Sequence, residues 1–132
     1  MAATFKFELV SPERVLLAVD AEQAIVPGAD GEFTMLPGHA PVITTLRPGV
    51  LDVSAQGARK RLFVKSGFAE VDPARLTVLA EQAYDLDDLT PAIIADEIRL
   101  AEAGAAAATD DMAKAMADTL VSELKRLSAR AA

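Results

Sequence analysis

The sequence predicts a β + α protein: an N-terminal antiparallel β-sandwich followed by a C-terminal antiparallel α-helical hairpin. Two observations carry that prediction. Up to about Asp88, apolar and polar residues alternate in short runs separated by turn-forming residues. Beyond Asp88 the apolar spacing lengthens to that of a helix, with capping residues where a helix would begin. The chain has 132 residues, 52% hydrophobic and 25% charged, which suits one ordinary domain, or a small domain with an appendage. The expected division is 1–88 for the sandwich and 89–132 for the helices.

In the first strand Phe5, Phe7 and Leu9 alternate with Lys6 and Glu8, so the three apolar side chains share one face. Similar runs follow at Arg14–Leu17, Glu22–Val26, Glu32–Met35, Val42–Leu46, Val50–Ser54, Arg61–Lys65, Ala69–Val71 and Leu76–Ala80. Between them stand Ser11-Pro12, Pro27-Gly28, Asp30-Gly31, Pro37-Gly38, Pro48-Gly49, Gln56-Gly57, Gly67 and Asp72-Pro73. These form turns because Gly tolerates positive φ, Pro presets φ, and Asp bonds its own backbone. Eight or nine short strands at this spacing argue for a sandwich or barrel. The spacing does not encode which strands pair.

Thr90-Pro91 is a capping residue followed by proline at the first helical position, where the missing N–H costs nothing. Ile94, Ile98 and Ala101 continue at helical spacing, and Gly104 is placed to end the helix as a left-handed cap. Ala105–Ala108 and Thr109–Asp111 then read as a connection, with Thr109 or Asp110 capping a second helix. There Met112, Met116, Leu120, Leu124 and Leu127 form a stripe opposite Asp111, Asp118, Ser122 and Lys125. Asp110 and Asp111 suit the positive end of the helix dipole, and Lys125, Arg126 and Arg130 the negative end. A two-helix hairpin of this size buries too little surface to stand alone, so it is expected to lean on the sandwich, a partner, or both.

Composition excludes several kinds of chemistry. With 13 Lys+Arg against 20 Asp+Glu the net charge is −7, which opposes nucleic-acid binding. There is no cysteine and one histidine, which removes disulfides, thiolate metal sites and cysteine nucleophiles. Met1–Leu9 alternates with charge, unlike a signal peptide. The longest run of large apolar residues, Val15–Val19, is far short of the roughly 20 needed to cross a bilayer. Absence of cysteine fits a reducing cytosol.

The candidate sites are few. His39, in Pro37-Gly38-His39-Ala40-Pro41, lacks the companions that catalysis or metal binding needs, which leaves a turn-satisfying role or a partner contact. Asp85, Asp87 and Asp88 read as a solvated hinge, since they lack the alternating ligands and central glycine of a calcium loop. Arg59-Lys60-Arg61 reads as a guard on a strand edge. No glycine-rich run ends in Gly-Lys-Ser/Thr, and no glycine pattern opens a helix, so neither a phosphate loop nor a dinucleotide fold is expected. No cofactor is expected.

The stretch from Gly31-Glu32 through Pro37-Gly38-His39-Ala40-Pro41 to Leu46-Arg47-Pro48-Gly49 is nevertheless specific. Together with Phe68-Ala69-Glu70-Val71 and Leu76-Thr77-Val78-Leu79-Ala80, it resembles the ε-subunit family of bacterial F-type ATP synthases, whose mitochondrial counterpart is called δ. The resemblance covers roughly Thr4 to Leu89, and the helical tail in layout only. It implies a sandwich of about ten strands and a non-catalytic rotor subunit of the central stalk, peripheral to the cytoplasmic face of the cell membrane. The implied partners are the γ subunit and the c-ring, with the α and β catalytic subunits within reach only of an extended tail. Glu32 matches the family position that meets the c-ring loops, and His39, with Pro37 and Gly38, a position near γ.

The tail departs from the family. Many relatives carry Ile or Leu, Asp, two variable residues, Arg and Ala at the start of the first helix, a pattern that resembles an ATP-binding signature. Here the matching stretch is Leu89-Thr90-Pro91-Ala92-Ile93-Ile94, so Thr90 and Ile93 occupy the two charged positions, and weak ATP binding is expected. Asp96 and Arg99 keep the spacing in a shifted frame and read as an ordinary helical ion pair. From Leu89 onward the tail holds five basic and seven acidic residues, a poor probe for acidic catalytic subunits. Inhibition of hydrolysis by tail extension is therefore the second reading, and a free-standing sandwich that binds some other partner is the third.

Overall fold

The computed structural model describes residues 3–131, with side chains through Ala129. Met1, Ala2 and the Arg130 side chain, which entered the readings of the N-terminus and the helix dipole, lie outside the described parts. The chain divides into two compact units between Asp85 and Leu86.

The first unit is a sandwich of ten strands in two five-stranded sheets. In chain order they are β1 (Phe5–Val10), β2 (Val15–Ala21), β3 (Gln23–Gly28), β4 (Gly31–Met35) and β5 (Val42–Thr45), then β6 (Gly49–Ala55), β7 (Ala58–Val64), β8 (Gly67–Asp72), β9 (Arg75–Ala80) and β10 (Ala83–Asp85). One sheet runs β2-β1-β9-β8-β5, the other β10-β7-β6-β3-β4. Alternation explains the core: Phe5, Phe7 and Leu9 of the first sheet are buried in one cluster with Val26, Leu51, Val53 and Val64 of the second. Burying each such side chain contributes about 1.5–3 kcal/mol.

Three features differ from the expectation. The first and ninth strands pair in parallel, Phe7 against Leu76 and Leu9 against Val78, so the sandwich is not purely antiparallel. Pro27-Gly28 lies inside β3, and the chain reverses at Ala29-Asp30. Pro27 is tolerated because β6 pairs with β3 only as far as Ile25, so no ladder partner on that side requires its N–H. The three-residue β10, paired with Leu62–Val64 of β7, is too short to show alternation.

The second unit opens with a 3₁₀ turn at Leu86–Asp88, followed by α1 (Pro91–Ala107) and α2 (Asp111–Ala131). Thr90 caps α1, its hydroxyl accepting the Ile93 N–H at 3.2 Å. Asp110 caps α2, its carboxylate accepting the Ala113 N–H at 2.7 Å. Gly104 does not end the first helix, which continues through Ala107. The alanines that follow it are the best helix formers, and they offset the roughly 1 kcal/mol that a mid-helix glycine costs. The α2 stripe is buried at Leu124 and Leu127, but Met112 and Met116 are 78% and 41% exposed. The residues that close α1, Gly104–Ala107, carry no side chain larger than a methyl group, so they offer little to cover the methionines at the start of α2.

Candidate functional site

The reverse turn between β3 and β4 pairs Gly28 with Gly31 and carries Asp30 and Glu32 at its tip. Glu32 is exposed and lies opposite Pro27 on an edge strand, so its carboxylate faces solvent. The tip is braced against the other sheet. The Ala29 N–H donates to the Thr45 carbonyl at 2.9 Å, the Arg47 N–H donates to that of Pro27 at 3.0 Å, and Gly28 bridges to Leu46.

The next turn, Leu36-Pro37-Gly38-His39, closes with the His39 N–H donating to the Leu36 carbonyl at 3.1 Å. Proline at its second position and Gly38 at φ +87° in its third are what a type II turn requires. The Gly38 N–H donates to the Pro73 carbonyl at 2.8 Å, which fastens this turn to the one between β8 and β9. The β8–β9 turn is itself fixed by Asp72, whose carboxylate accepts the Ala74 N–H at 2.8 Å. The imidazole Nδ1 donates to the Ala40 carbonyl at 2.7 Å. The His39 ring lies 5.9 Å from that of Phe33, tilted by 42°.

The Phe33 ring, next to Glu32 in the chain, thus reaches the Pro37–His39 turn. A shallow cavity of about 350 Å³ separates Gly28, Gly31 and Phe33 from Val42, Ile43 and Thr44. Ile43 is 78% exposed on its rim, a residue to which the sequence reading assigned no role. Its exposure depends on register: Ile43 pairs with Glu70 on the outward face of the edge strand β5. The site offers carboxylates, an apolar side chain and one imidazole on rigid turns. That equips it to contact a macromolecule. Among the described residues no cluster of His, Asp and Glu could hold a metal ion.

The other candidates are placed as follows. Thr90 is occupied as a helix cap, and Ile93 is exposed three residues on. Asp96 and Arg99 form an exposed ion pair one turn further along α1. Arg59 pairs with Asp52, and that hydrogen bond, then the carboxylate's charge, raises the pKa of the guanidinium. Lys60 pairs with Asp85 at 2.7 Å. No described helix is long and apolar enough to cross a membrane.

Residues 4–85 match the family model described as ATP synthase, Delta/Epsilon chain, beta-sandwich domain, and the chain belongs to that family. Within it, the chain aligns with ATP synthase epsilon chains. It is 46% identical over 128 residues to that of Mesorhizobium japonicum, covering 96% of this chain and 95% of the relative. It is 40% identical over 132 residues to that of Maricaulis maris, covering 100% and 99%. Among solved structures it superimposes, at a TM-score of 0.76 and 20% identity, on a chain of the Euglena gracilis mitochondrial ATP synthase OSCP/F1/c-ring assembly. That match covers 97% of this chain and 81% of the other, and at such identity it speaks for the fold.

Proposed function

We propose that this ε-type chain is a non-catalytic rotor subunit of the central stalk, coupling the γ subunit to the membrane c-ring and aiding assembly. Glu32 belongs to the c-ring contact, and Pro37, Gly38 and His39 to the neighbouring γ contact. The observation that carries the reading is the bracing of these two turns, each hydrogen-bonded to a strand or turn of the opposite sheet. A part that transmits torque must not yield, and pinned turns have few alternative conformers to visit. A preformed surface also loses less ordering entropy on docking.

The family relatives are epsilon chains of ATP synthase, and the Euglena gracilis assembly on which the chain superimposes includes a c-ring, which supports the choice of partners. The placement is peripheral, on the cytoplasmic face of the membrane and through the complex. Replacing Glu32 and His39 together is expected to reduce co-purification of the chain with γ and the c-ring while its circular dichroism stays unchanged. Undiminished co-purification would refute the assignment of this surface.

A further inference from the structure

A second concavity, of about 440 Å³, opens on the sandwich between β2 and the β6–β7 turn. We propose that it is a docking groove for an extended segment of a partner protein, which adds a strand to the free edge of β2. The strand lies last in its sheet and pairs only with β1, so along Val15–Ala21 backbone groups on one side have no ladder partner. Native edges of this kind are usually blunted by lysine, proline or a bulge. This one reads Val-Leu-Leu-Ala-Val-Asp-Ala, and its single irregularity lies at the Val15 end, leaving Leu17–Ala21 regular.

The opposite wall is also an open edge. β10 covers β7 only at Leu62–Val64, so Ala58–Arg61 extends beyond it. Between these two edges, Leu17 and Val19 face Val53 and Ala55 across an apolar floor. Strand addition supplies main-chain hydrogen bonds from the edge and side-chain pockets from the floor.

Charge selects the occupant. The two cations on the groove, Arg59 and Lys60, are each held by a carboxylate, Asp52 and Asp85. Asp20 lines the same groove, is exposed, and forms no ion pair among the described residues. The fitting segment therefore alternates apolar side chains, directed into the groove, with cationic ones that reach Asp20. A second copy of this chain fits poorly, because its own β2 carries no cation to place there.

The test uses the full chain and two synthetic peptides, Thr-Val-Lys-Val-Lys-Val-Thr and its counterpart with glutamate in place of lysine. Amide hydrogen exchange is followed by NMR. The lysine peptide is expected to slow exchange along Val15–Ala21 at least about tenfold, and the glutamate peptide distinctly less. The exposed-site variant Asp20→Lys should reverse that preference. Three outcomes would overturn the proposal: no protection of β2 by either peptide, equal protection by both, or protection confined to the edges of β4, β5 or β10. Protection of β2 that grows with protein concentration alone would assign the groove to a second copy and overturn it as well.

Discussion

Gly67 opens β8 at φ +144°, and a Cβ built on it would stand 1.8 Å from the Leu79 carbonyl oxygen and 3.1 Å from the Ala80 Cα. Both obstacles are backbone of the neighbouring β9, so no side-chain rotation relieves the overlap. Gly31 provides an internal control, since its φ is +138° and a Cβ there would meet nothing within 4 Å. Gly31→Ala therefore reports backbone strain alone, about 1–3 kcal/mol. Gly67→Ala adds the forced separation of β8 from β9, comparable to overpacking a core at about 1–3 kcal/mol more. It also disturbs the hydrogen bond from the Leu46 N–H to the Gly67 carbonyl, 2.8 Å in length. The expected total is about 2–6 kcal/mol, a large part of the ~5–15 kcal/mol that stabilises a typical domain. The chain has no tryptophan and one tyrosine, Tyr84 on β10, so its fluorescence during urea unfolding reports on the sandwich. If the two variants lose equal stability, or Gly31→Ala loses more, the steric argument is wrong.

Three further outcomes are expected. Gly104→Ala should stabilise the hairpin by about 0.5–1 kcal/mol, read as a higher melting temperature by circular dichroism, because the site is mid-helix with open space around it; destabilisation would restore the capping role. Thr90→Ala should cost the hairpin about 1 kcal/mol in the same assay through the lost cap, and an unchanged melt would contradict it. In the assembled enzyme, deleting the residues after Asp88 should leave ATP hydrolysis close to its original rate, and calorimetry of the isolated chain should detect no micromolar ATP site; a marked rise in hydrolysis or tight ATP binding would favour the inhibitory reading.

Alternation made Phe5, Phe7 and Leu9 legible as one buried face, and Thr90-Pro91 announced its helix, because both signals are local and need no partner. The Pro37-Gly38 turn was equally plain, since proline and glycine restrict or release φ wherever they stand. Gly104 misled because a glycine late in a helix has two local readings, and the alanines beyond it decided between them. The exposure of Met112 and Met116 was not legible for a different reason: amphipathic spacing identifies a face without saying what, if anything, covers each position on it.

By itself the sequence determined the two kinds of structure, their order along the chain, the principal core residues of the sandwich and the turns that carry Glu32 and His39. Only the tertiary structure decided that the first strand lies parallel to the ninth, that the Pro37–His39 turn is tied to Pro73, and that the edge of β2 is left free. The reason is physical. Periodicity and turn propensity act within a few residues, whereas strand pairing, close approach and exposure depend on which distant segments the common core draws together.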